Sequence, residues 1–162
     1  MHVNSVTRLA NNNTMISIRN FNTVAEVTPD GNVINETLFP PKPIPLKKRL
    51  GLRAHPHDPE YQQNGNILVA LTGSNKLLEV PSAGGPPVWK WEHPNGKRPV
   101  ASMRDANRLP NGNTLIVERD AITEITPQGK TVWQLRVANV SKKPTFLFKA
   151  QRISPDGRVF GG

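Results

Sequence analysis

The sequence predicts an all-β fold: one partial β-propeller domain over residues 1–162, with about three and a half four-stranded antiparallel blades. Three observations predict it. One unit recurs four times, as NNNTMISI from Asn11, NGNILVAL from Asn64, NGNTLIVE from Asn111 and DGRVF from Asp156. The spacings of 53, 47 and 45 residues match the roughly 40 to 50 residues of a blade whose four strands form one sheet. Sixteen Pro and twelve Gly beside only 36% hydrophobic residues favour many short elements joined by tight turns over long helices.

The first blade, about residues 1–40, reads as VNSVTRLA, TMISIRN, TVAEVTP and, past the turn DGN, VINETLF. Alternation and β-branching make each segment a strand. The second, about 53–93, carries DPEYQQ, ILVAL, KLLEVP and PVWKWEH; the third, about 101–137, carries ANRLP, TLIVERD, AITEITP and TVWQLRV. NGN and PQGK are hairpin signals, because Asn and Gly accept the positive φ of tight β-turns. The partial blade at 143–162 adds one or two strands, so about fourteen strands and almost no helix are expected. Trp89, Trp91 and Trp133 fall on fourth strands, where large rings pack between blades. Pro56 and Pro59 suit an edge strand, where a missing N–H is tolerated. Rings usually have four to eight blades, so the chain reads as a piece of a larger propeller. Self-association through the open blade edges is the alternative, since exposed strand edges invite pairing.

The net charge is +9, much of it in two connecting segments, Lys42 to Arg53 and Lys142 to Arg152. Such a balance favours anionic partners, although solvated loop charges are the simpler account of it. Nucleic acid is not expected, because Gly-aromatic RNA signatures, recognition helices and interleaved aromatics are missing. No stretch is long and apolar enough for a membrane span. With no cysteine, disulfide frameworks and thiolate metal sites are excluded. The start, MHVNSVTRLANNN, lacks a basic-then-apolar signal pattern, so it assigns no localisation.

Counting back from each turn aligns the first strands. Nine residues before it stand His2, His55, Ser102 and Leu147; seven before stand Asn4, His57, Arg104 and Lys149. Residues two apart on a strand share a face, and first strands of propellers line the central channel. These side chains are therefore expected to converge on its mouth. Reflection about Asn12 sets Asn4 opposite Asn20, beside Arg19, and reflection about Gly112 sets Asp105 opposite Arg119 as a structural ion pair. Asp58 points to the other face from His57 and receives no role. His93 lies in a loop that can reach the same end.

HVNSVTRLANNNTMISIRN, HPHDPEYQQNGNILVAL and RDANRLPNGNTLIVERDAITEITPQGKTVW resemble the arylsulfotransferases, propellers that move a sulfuryl group between phenols without a nucleotide donor. The NGN turns are weakly specific; H-x-N followed by S-x-R in one blade and H-D in the next is more so. The resemblance implies a channel-end His that is transiently sulfated, with His, Asn and Arg around the sulfuryl oxygens. By motif position His57 resembles the nucleophile, and His2, Asn4 and Arg19 the surrounding group. A neutral imidazole can attack sulfur, and cationic or amide donors stabilise charge spreading over the oxygens. His55 and Arg104 are expected to bind substrate. The family also uses a His from an earlier blade, which this chain does not contain, and its members are typically exported.

The expected partners are thus an anionic aryl sulfate and a phenolic acceptor, with no cofactor. The rival from another class is a non-catalytic propeller binding a ligand or protein through the same mouth. A quinone-cofactor dehydrogenase is the third reading; its fourth-strand tryptophans are matched, but the calcium-type acidic cluster is not.

Overall fold

The computed structural model describes residues 2–39, 53–94, 102–137 and 147–160. The basic stretches 42–52 and 142–146 lie outside the described residues. Among those described are fourteen strands and one three-residue 3-10 turn. Blade one holds β1 (Val3–Arg8), β2 (Thr14–Ile18), β3 (Thr23–Val27) and β4 (Val33–Leu38). Blade two holds β5 (Pro56–Tyr61), β6 (Asn66–Leu71), β7 (Lys76–Pro81) and β8 (Trp89–Glu92). Blade three holds β9 (Asp105–Arg108), β10 (Thr114–Val117), β11 (Ala121–Ile125) and β12 (Thr131–Arg136), and β13 (Arg152–Ile153) pairs with β14 (Val159–Phe160). Each of the first three sheets runs up and down in chain order. β5 packs against both β1 and β9, so the first strands gather on one side.

The N-x-N turns are three-residue hairpin loops. Leu9 N–H donates to Asn13 O at 2.8 Å and Asn12 N–H to Leu9 O at 3.0 Å, with Asn12 left-handed at φ 64°. Gly65 and Gly112 take that position in the next blades, at φ 81° and 83°, where Gly costs least. The first Asn of each turn caps it, Asn11 Oδ1 accepting from Asn13 N–H at 3.0 Å. The Asn11 and Asn13 amides then both donate to Glu26 Oε1, at 3.0 and 2.6 Å. Asn64 and Asn66 do the same to Glu79, and Asn111 and Asn113 to Glu124. Each Glu lies buried on a third strand, with its desolvation offset by amide donors.

This turn geometry corrects the register. The hairpin is centred on Asn11, one residue earlier than the reflection about Asn12 assumes, because the left-handed third loop residue sits beyond the true turn. That centre alone would set Arg19 opposite Val3; the β1 bulge between Val3 and Ser5 shifts the pairing by one more residue, so Arg19 faces His2, its N–H donating to His2 O at 2.8 Å. Likewise Asp105 pairs with Val117, not Arg119.

Two cores form between blades. Met15, Val24 and Phe39 pack on Val69, Leu71 and Val80, and Leu68, Ala70 and Leu77 on Ala106, Ile116 and Ile125. Trp89 and Trp91 close the second core. Trp89 Nε1–H donates to Pro127 O at 2.9 Å, and Arg108 lies 4.7 Å over its ring while reaching Glu79 at 2.8 Å. Arg152 repeats this next to blade three, 5.3 Å over Trp133 and 2.6 Å from Glu124. Between blades one and two, Asn35 stands at the Trp position and donates to Ser82 O at 2.7 Å. The tryptophans are inter-blade packing groups.

Candidate active site

The site begins with irregular backbone. β1 bulges between Val3 and Ser5, and β5 between His57 and Glu60. His55 and Asp58 are both left-handed, at φ 53° and 41°, a conformation that costs a non-glycine residue free energy and persists where the surroundings hold it. The surroundings fix this path. Asn22 Oδ1 accepts from His55 N–H at 2.9 Å, and the Thr72 and Gly73 N–H groups donate to His55 O and Ala54 O at 3.2 and 2.9 Å. Gly73 has no side chain because a Cβ there would sit 1.7 Å from Arg53 O. Asn4 Nδ2 donates to Pro56 O at 3.2 Å, joining the two bulges, and His2 Nδ1 stands 3.4 Å from Asn4 Oδ1.

His2, Asn4, Arg19, His55, His57 and Arg104 all line one cavity of about 480 Å³. Arg119, Phe148, Thr72, Asn75 and Ser102 complete its wall. Among the described residues, three guanidinium groups and no carboxylate thus face one space, which favours an anion. Burial, then the neighbouring charge of Arg19, lowers the Arg104 pKa. Burial is also the main reason His57 is pushed down to about 4; Arg104 and Arg19 add to it, while Asp58 and a hydrogen bond with the Arg104 backbone oppose it. His57 is neutral at pH 7, and its buried Nδ1 has no hydrogen-bond partner among the described residues. Among the described residues no group of three His, Asp or Glu is placed to hold a metal.

Phe148 has no counterpart in the sequence-based columns. Leu147 and Lys149 are the aligned positions, yet Phe148 lines the cavity, 57% exposed with Arg104 4.3 Å from its ring centre. The segment is strapped into this phase. Leu147 N–H donates to Arg119 O, Ala150 N–H to Asp105 Oδ2, and Lys149 Nζ lies 3.3 Å from Asp58. Asp58 thus faces a lysine of the chain's last blade. Asp105, expected to hold Arg119, is instead buried with donors from Asn107 and Ala150, and burial, reinforced by Asp58, lifts its pKa to about 6. Arg119 lines the cavity. His93 does not: its Nε2 lies 3.4 Å from Glu118 between blades two and three, edge-on to Trp91.

No protein-family model matches the chain, and no curated protein matches it. Solved structures do. A protein of unknown function from Bacteroides caccae superposes with a TM-score of 0.62 at 20% identity, over 98% of this chain and 52% of that one. Virginiamycin B lyase from Staphylococcus aureus gives 0.61 at 16% identity, over 97% and 54%. The WD40 domain of Neurospora crassa Pan2 gives 0.53 at 10% identity, over 84% and 38%. At these identities the likeness shows the fold alone, and the fold is a β-propeller. The chain spans about half the length of the first two.

Proposed function

We propose that the chain belongs to an arylsulfotransferase-like enzyme that moves a sulfuryl group from an aryl sulfate to a phenol through a sulfo-histidine at His57. The observation that supports it is a neutral, partly buried His57 sharing one cavity with Arg19, Arg104 and Arg119. An imidazole nitrogen attacks sulfur, the S–O bond to the aryl group breaks, and the phenolate leaves with that electron pair. An acceptor phenol then attacks the same sulfur, the N–S bond breaks, and the phenolic proton leaves to solvent or the released phenolate. The guanidinium groups and the Asn4 amide stabilise charge on the sulfuryl oxygens throughout. His2 and His55 border the same space and orient the ester.

The test is turnover of 4-nitrophenyl sulfate with a phenol acceptor, followed by mass spectrometry of briefly exposed protein. Nitrophenol release with a sulfuryl label on His57 supports the proposal. Saturable binding of the ester without release or label would give the site to the non-catalytic ligand-binding reading.

A further inference from the structure

The face that blade one turns away from blade two repeats the face by which blade three packs on blade two. Val6 and Arg8 stand five and three residues before Asn11, as Ala106 and Arg108 stand before Asn111. Ala106 pairs across its hairpin with Ile116, and both are fully buried against blade two. Val6 pairs with Ile16 in the same way, yet Val6 is 66% exposed.

The arginines match as well. Arg108 Nη1 donates to its own turn at Gly112 O, 3.4 Å, leaving Nη2 to meet Glu79 of the preceding blade over Trp89. Arg8 Nη1 donates to its own turn at Asn12 O, 2.6 Å, and among the described residues no carboxylate pairs with it. An arginine held in place with one edge unused, beside exposed valine and half-buried isoleucine, is half of an inter-blade contact.

We propose that this face of β1 and β2 is a blade-docking surface. Its occupant is a further four-stranded propeller blade presenting a Glu from its third strand and a Trp from its fourth. A second copy of this chain has no such pair to offer. Its Glu79 and Trp89 are sealed against Arg108, and its Glu124 and Trp133 hold Arg152. The match to about half of longer single-chain propellers agrees with a ring of more blades than the chain supplies. This inference stands independently of the chemistry proposed for the cavity.

The experiment joins a second copy of residues 53–101 ahead of His2, so that residue 101 precedes His2 as it precedes Ser102. The added blade brings its own Glu79 and Trp89 to Val6 and Arg8. The unfolding midpoint should rise by about 3 °C or more. Arg8→Ala, silent in the original chain, should remove most of that gain, as should Glu79→Gln with Trp89→Ala in the added copy alone. A cysteine from Val6→Cys should react with a maleimide in the original chain and become protected in the joined one. A joined chain that melts at or below the original, or a gain indifferent to Arg8→Ala, overturns the proposal. So does an original chain that sediments as a dimer with that cysteine protected, which would give the face to a second copy.

Discussion

Arg108 and Glu79 meet at 2.8 Å across the boundary between blades two and three, both largely buried. Glu79 already accepts from Asn64 and Asn66, so the arginine joins a turn, a third strand and the next blade's first strand in one polar network. Removing one partner leaves a buried charge uncompensated. Arg108→Ala should therefore lower stability by roughly 2 to 4 kcal/mol in urea unfolding. Arg8→Ala, at the same position in blade one but exposed, should stay within about 0.5 kcal/mol. Equal losses for the two would refute this account of the interface.

In an active preparation, His57→Ala should abolish sulfuryl transfer. Arg19→Ala and Arg119→Ala should each slow turnover by about a hundredfold to a thousandfold, the usual cost of one charge-stabilising donor. Steady-state rates with 4-nitrophenyl sulfate measure both. Full activity in the His57 variant would end the sulfo-histidine mechanism.

Phe148 lines the cavity, more than half exposed, with the Arg104 guanidinium over its ring. If its exposed ring carries the substrate ring in ground and transition states alike, Phe148→Ala should raise KM for 4-nitrophenyl sulfate about tenfold and leave kcat nearly unchanged. A fall in kcat at constant KM would assign it another role.

Two buried groups pull stability in opposite directions with pH. His57 titrates near 4 rather than its ordinary 6.5. The unfolded chain therefore takes up a proton that the folded chain refuses as pH falls from 6.5 to 4, which destabilises the fold. Asp105 titrates near 6 rather than 3.8. The folded chain keeps a proton that the unfolded chain releases between 6 and 3.8, so the same acidification stabilises it. The native profile should be shallow across this window. Asp105→Asn should expose the His57 slope, losing up to roughly 3 kcal/mol from pH 6.5 to 4, and His57→Ala should instead gain stability on acidification. Denaturant titrations at several pH values decide it; parallel profiles for the two variants would contradict the assignment.

The blades were legible because the Asn/Gly turns recur at a blade's spacing, and each turn needs residues that tolerate positive φ. The site columns were legible in blades one to three because each stands at a fixed offset before its turn, and that offset still brings the residues together on the far side of the bulges in β1 and β5. Other features depend on distant partners. Glu26, Glu79 and Glu124 look like solvent-facing strand charges until the turn amides are placed above them. Arg19 falls opposite His2 because the turn centre depends on which loop residue is left-handed and because the β1 bulge adds one more residue of shift. Phe148 takes the cavity because contacts from Arg119, Asp58 and Asp105 set the phase of its segment, and no local pattern carries that information.

The two left-handed residues on either side of His57 have a consequence for how such a site changes over generations. The abrupt path of the chain there belongs to His55 and Asp58, and it is secured by Asn22, Thr72 and Gly73. The side chain at 57 can therefore be exchanged without disturbing the backbone that presents it. One codon suffices to change the chemistry offered at position 57 while the inherited framework stays intact.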